Sequence, residues 1–245
     1  MRTSNPALND NTFQPGLAVG GATMTINGTV NKTAILLLLA FVPAIFVWNK
    51  VMGGDAAAGP WIWGGAIGGF IAALVTIFKK DIAHITAPIY ALCEGLFLGG
   101  ISALYERQFH GIVLQAGMLT FGVLFALLAA YRSGLIKATE NFKLGVCAAT
   151  GGIALVYLIS IVLGMFGISV PYIHESGMIG IGFSLFVVVI ASLNLVLDFD
   201  FIENGASLGA PKYLEWYAAF GLMVTLVWLY LEMLRLLAKL SSRRN

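Results

Sequence analysis

The chain has 245 residues, of which 59% are hydrophobic and only 11% charged, with a formal net charge of +2. An average soluble domain carries about 25% charged residues, and 14 Lys/Arg with 12 Asp/Glu are too few to cover this much apolar surface against water. A soluble enzyme, a nucleic-acid binder and a disordered chain are excluded; what remains is an integral membrane protein whose first partner is the lipid bilayer.

In chain order, residues 1–32 are polar and rich in Asn, Gly and Thr, and read as a flexible tail. They carry no apolar h-region, so no cleavable signal peptide is expected and the first span serves as an uncleaved anchor. A bilayer core of about 30 Å takes about 20 apolar residues of helix. Seven stretches qualify: Thr33–Val51, Trp61–Phe78, Ile85–Tyr105, Ile112–Tyr131, Leu144–Phe166, Gly177–Leu197 and Tyr213–Leu237. Lipid cannot satisfy free backbone groups, so each is predicted as a helix. A β-barrel would show short alternating strands instead of these continuous runs. The predicted fold is an all-α, multi-pass seven-helix transmembrane bundle over residues 33–240, followed by a short basic tail at 241–245.

Aromatic residues near the span ends, among them Trp48, Trp61, Trp63, Tyr105, Tyr131 and Tyr213, fit interfacial belts. The pairs Gly64/Gly68, Gly65/Gly69 and Gly95/Gly99 read as packing positions. Cys93 and Cys147 both fall in apolar runs, and His84, His110 and His174 lie at three separate loop edges. Neither a disulfide framework nor a zinc site is indicated, and no cofactor is expected. Orientation is contested. With the N-terminus inside, internal segments hold Arg2, Lys32, Lys79, Lys80, Arg132, Lys137, Lys143 and Lys212, against Lys50 and Arg107 outside. The cluster Arg235, Lys239, Arg243 and Arg244 argues the other way. Short loops weigh most, which favours the N-terminus inside, unless one segment is re-entrant.

Ionisable residues within the spans are the informative ones, because each is costly in lipid unless paired or hydrated. Glu94 lies in the middle of the third span; it reads either as a hydrogen-bonded structural carboxyl or as a functional one. Asp198 and Asp200 close the sixth span, and with Glu203 they have a hydrated loop edge as the competing reading. Glu215 opens the seventh span. Glu232 and Arg235 lie near its end, at a spacing that also suits a self-neutralising i,i+3 pair. Carboxylate oxygens are hard ligands suited to Ca²⁺. Two carboxyls close together hold a proton near neutral pH because both cannot ionise, so protonation can gate an ion path. An intramembrane protease is not supported: no His lies inside a span, and the Gly-x-Gly-Asp element expected beside a second catalytic aspartate is absent. The chain reads as a non-enzyme.

Three stretches carry a resemblance. They are Pro88-Ile-Tyr-Ala-Leu-Cys-Glu94-Gly-Leu-Phe-Leu-Gly-Gly, Leu195-Val-Leu-Asp198-Phe-Asp-Phe-Ile and Leu229-Tyr-Leu-Glu232-Met-Leu-Arg235-Leu-Leu. In this order they resemble the Bax inhibitor (transmembrane Bax-inhibitor-motif) family, in a bacterial branch with a longer N-terminal tail. The resemblance implies six helices around a central seventh in the bacterial cytoplasmic membrane. It further implies a pH-sensitive calcium leak whose sensor is a buried acidic pair from helices six and seven. By motif position that pair is Asp198 with Glu232, which are also the candidate ligands for Ca²⁺ as the permeant ion. Some bacterial members are instead partners of a membrane-bound protease.

Departures from the family pattern bear on the sensor. The second acid is Glu where the family has Asp, and the second span holds no Arg. If the chain reverses near residue 207, Asp198 and Glu232 differ in depth by about 24 Å, whereas Glu215 lies nearly level with Asp198. Motif matching thus nominates Glu232 and antiparallel geometry nominates Glu215, unless the stretch Gly205–Pro211 is broken. The leading expectation is a pH-gated calcium leak. The competing one is a non-transporting protein that modulates a membrane protease or another complex by lateral contact.

Overall fold

A computed structural model describes residues 22–55, 57–167 and 177–244. Among them are seven long helices, each apolar and long enough to cross a membrane. They are α1 (Ile26–Met52), α2 (Ala58–Phe78), α3 (Ala83–Gln108), α4 (Ile112–Arg132), α5 (Glu140–Met165), α6 (Met178–Ser207) and α7 (Leu214–Arg244). The fold class expected from the hydropathy is the one observed. Tyr172, His174 and Glu175 lie outside the described residues.

Local chemistry explains where the helices start and stop. Thr25 caps α1, its hydroxyl accepting the Gly28 N–H at 3.0 Å. Thr139 caps α5 in the same way through the Phe142 N–H. The α3–α4 turn closes on Glu106, whose carboxylate accepts the N–H groups of Gly111 (2.6 Å) and Val113 (3.2 Å). Gly111 stands at φ +81°, a conformation that favours glycine. α1 begins at Ile26, seven residues before the expected span, because Thr25 supplies a cap inside the polar tail. α7 continues to Arg244, into the stretch read as a basic tail. The largest difference is in α6, which runs ten residues past Leu197 and carries Asp198, Asp200 and Glu203 on an unbroken helix to Ser207. No re-entrant segment occurs among the described residues, and 205–211 holds no break within a span.

Helix α7 is the most buried element and packs on α1, α3, α4 and α6. Its core-facing residues include Leu214, Tyr217, Phe220, Met223, Leu229 and Leu234. The resemblance implied such a central seventh helix. α1, α2 and α3 form a second tight unit. A Cβ on Gly95 or Gly99 of α3 would collide with the carbonyls of Ala40 and Ala44 on α1. One on Gly65 of α2 would lie 2.6 Å from the Cys93 carbonyl. These glycines let backbones touch within the bundle. The outer surface is the apolar one: Leu38, Phe41, Phe70, Phe125, Leu158 and Ile161 are all exposed, as lipid-facing side chains should be. α5 is the least buried helix and packs mainly on α6.

Candidate functional site

The five acids singled out by sequence do not converge on one spot. Asp198 is wholly buried on α6, at 0% exposure, which removes the loop-edge reading for it. Asp200, half-buried two residues further and on nearly the opposite face of the helix, pairs with Lys143 of α5 at 2.9 Å. Glu203 is exposed on the same helix and accepts the Tyr131 hydroxyl at 2.5 Å. Glu232 pairs with Arg235 at 2.7 Å and accepts the Tyr157 hydroxyl at 2.9 Å. The i,i+3 pairing read from the sequence is therefore formed, with a tyrosine from α5 added to it.

Glu215 has a different task. Its carboxylate accepts the Thr25 N–H and hydroxyl, both at 2.9 Å, and pairs with Lys32. It ties the start of α1 to the start of α7. The Met24 N–H to Ala210 carbonyl bond (2.7 Å) and the Lys212 N–H to Ala22 carbonyl bond (3.1 Å) complete the strap. Glu94 shares a side-chain hydrogen bond with Tyr90, one turn earlier on α3. Its carboxylate lies against Gly69 of α2, where a Cβ would sit 3.1 Å away. Glu94 thus turns toward α2, which packs on α1 and α3.

The register of α6 against α7 decides between the two nominated partners of Asp198. Trp228 packs with Val187 and Ile190, and Lys239 donates to the Gly180 carbonyl at 3.0 Å and the Ser184 hydroxyl at 2.9 Å. That register sets Asp198 at the depth of about residues 218–223 of α7, hence about 13–21 Å from Glu232 and about 5–12 Å from Glu215 along the axis. Neither glutamate is level with Asp198. The reason is the extension of α6: the chain reverses in residues 208–213, further from Asp198 than a turn at 207 would be. Among the described residues no three His, Cys, Asp or Glu side chains gather as a metal site. Asp198 and Glu232, expected as joint Ca²⁺ ligands, are too far apart in depth to share an ion. The residues present do not fit a resident Ca²⁺.

What the structure does assemble is a polar seam between α5 and the α6–α7 pair. Lys143, Thr150 and Tyr157 recur every seven residues on α5, a spacing that returns to nearly the same helix face. Each bonds a polar partner across the seam. Lys143 reaches Asp200, Thr150 accepts the Asn194 amide at 2.9 Å, and Tyr157 meets Glu232 and Arg235. On α6 the buried Ser184, Asn194 and Asp198 fall within an arc of about 80° and extend over about 21 Å of axis. Buried Lys239 closes one end of this file at Ser184. Sequence reasoning found the acids and missed their partners on α5. The seven-residue recurrence was the signal available, but an isolated Thr or Tyr in a span is unremarkable until its partner is known.

A family model described as Bax inhibitor 1 like matches residues 5–242. No curated protein and no solved structure matches the chain. The match runs through all seven helices and takes in each acid of the seam, and on that basis the chain belongs to the Bax inhibitor 1 like family.

Proposed function

We propose that this protein is a pH-sensitive cation leak of the membrane, with calcium as the permeant ion and the α5–α6–α7 seam as its route. The observation that carries the reading is the set of buried polar residues on one arc of α6, Ser184, Asn194 and Asp198, of which Asn194 meets Thr150 on the least buried helix and Ser184 meets Lys239 of α7. A lipid-filled bundle has no reason to align polar groups over about 21 Å of axis, since each must be satisfied at a cost. The arrangement described is a sealed one: Lys143, Asp200, Glu232 and Arg235 neutralise one another across or along the seam. Ionising Asp198 at full burial requires water, which the packed bundle admits only if a helix beside α6 moves; in this reading that helix is α5, the least buried. Charge on Asp198 and opening of the seam are therefore linked, and a hydrated carboxylate attracts a divalent cation.

Asp198 is the gate in this reading. Glu232, the partner implied by the family likeness, is an acid paired with Arg235, and Asp200 is one paired with Lys143. Reconstitution into vesicles loaded with a calcium dye tests the proposal. The expected result is a calcium leak that varies with pH across the acidic-to-neutral range, with the variation flattened in Asp198→Asn. Flux equal to that of empty vesicles at every pH would sink it.

A second reading, lateral docking on a membrane protein such as a protease, has one observation in its favour. Gly145, Gly151 and Gly152 of α5 face open space rather than another helix of the bundle. Crosslinking through α5 in native membranes would then recover a stable partner, whose binding survives Asp198→Asn.

A further inference from the structure

At the end of the bundle opposite the α6–α7 turn, a cavity of about 440 Å³ opens between α1, α2 and α3. Its volume lies within the range of about 300–1,000 Å³ typical of ligand pockets. One wall is a stripe of α3, Phe97, Ile101 and Leu104, at the four- and three-residue spacings that stack on one helix face. Ile62 and Gly59 of α2 form the facing wall. The stripe ends at Arg107, so the groove runs from the apolar depth of the membrane to a guanidinium over about 15 Å. Trp63 stands at its rim, 71% exposed, and Trp61 stacks edge-on against Phe46 at 5.3 Å, an aromatic pair at headgroup level.

Charge decides the occupant. Arg107 makes no ion pair among the described residues. The two acids near it are already engaged. Asp55, which also lines the cavity, pairs with Lys50 at 2.7 Å and accepts the Ala57 N–H at 2.8 Å. The Lys50 ammonium beside it holds its carboxyl below the usual range, so the pair is neutral at physiological pH. Glu106 caps the start of α4. The site thus presents one net positive charge above a narrow apolar slot.

We infer that this groove is a binding site for an anionic phospholipid, its phosphodiester on Arg107 and one acyl chain along Phe97, Ile101 and Ile62. A headgroup with a single net negative charge matches the site. A choline headgroup brings its own cation against Arg107 and Lys50 and is disfavoured.

Native mass spectrometry of the full chain in detergent tests this, with dioleoyl phosphatidylglycerol and dioleoyl phosphatidylcholine added separately. One phosphatidylglycerol is retained in preference to phosphatidylcholine. Arg107→Gln weakens its retention by about fivefold, the worth of one interfacial Arg, while Arg107→Lys keeps most of it. Gly59→Leu weakens it as well, because the new side chain enters the slot; a Cβ there meets nothing within 4 Å, so the substitution brings no clash at that atom, and an unchanged thermal midpoint checks that the bundle is intact. Arg132→Gln, at the opposite face, changes nothing. Should Arg107→Gln fail to fold, Gly59→Leu decides alone. Equal retention of the two lipids, unchanged phosphatidylglycerol binding in Gly59→Leu, or complete displacement by soluble glycerol phosphate would each overturn the proposal.

Discussion

Glu232 shows why an acid inside a membrane bundle is readable only together with its neighbours. Its side chain is almost fully buried, yet Arg235 and Tyr157 meet the same oxygen of its carboxylate. The other oxygen has no hydrogen-bond partner among the described residues, so the group is held but not saturated. Arg235 is the more exposed member, with 35% of its side chain accessible, so solvent screens part of the attraction. Removing it leaves a buried carboxylate with one hydroxyl for company, which costs about 1–3 kcal/mol. Arg235→Gln should therefore lower the thermal midpoint of the detergent-solubilised protein. Arg235→Gln with Glu232→Gln should recover most of the loss, because a neutral pair needs no counter-charge. If the double variant melts no higher than the single one, the ion pair is not what Arg235 contributes.

Seen as elements, the helices divide into two kinds. α1, α2 and α3 are locked by glycines that admit a neighbouring backbone. α5 has little buried surface and is held by Ile153 against Val187 and Ile190 and by the three polar residues of the seam. Removing one hydrogen bond weakens a contact by about 0.5–1.5 kcal/mol, which shifts a sealed–open equilibrium by roughly two- to tenfold. Tyr157→Phe takes away the hydroxyl between Glu232 and Arg235 and should raise the calcium leak of vesicles by that factor at every pH. Ser160→Ala is the control, since Ser160 bonds only its own helix at the Val156 carbonyl. An unchanged leak in a folded Tyr157→Phe protein would move the route away from α5. The same seam marks where sequence reading stops. Seven spans were legible because hydropathy over about 20 residues is a sum that tolerates local error. The end of α6 was not, because three acids in six residues look like a loop unless Lys143, Tyr131 and the surrounding helices are known to receive them. The i,i+3 pair of Glu232 and Arg235 was legible since both partners lie on one helix. The bonds to Lys32, Thr150 and Tyr157 were not, since only the packed bundle brings residues so distant in sequence together.

For the whole molecule, seven crossings place the two chain ends at opposite faces of the bundle. The basic residues then separate by environment, which favours one of the two contested orientations. Of the C-terminal cluster that argued against an internal N-terminus, Arg235 is tied to Glu232, and Lys239 is buried on Gly180 and Ser184. Both belong to the bundle rather than to a loop, so they carry little weight in a rule that counts short flanking segments. At the other face Lys79, Arg132, Lys137 and Lys212 stand in or beside the turns. The excess of free positive charge is on the face where α1 begins, and that face should be cytoplasmic. Two single-cysteine variants check this: Ser133→Cys in the α4–α5 turn and His110→Cys in the α3–α4 turn, both exposed positions. A membrane-impermeant maleimide applied to intact cells should label His110→Cys and spare Ser133→Cys until the membrane is opened. The native Cys93 and Cys147 lie within α3 and α5 and should stay unlabelled in the parent chain. Labelling of both variants from one side would contradict the seven-crossing bundle, whereas the reversed pattern would keep the bundle and overturn only its orientation.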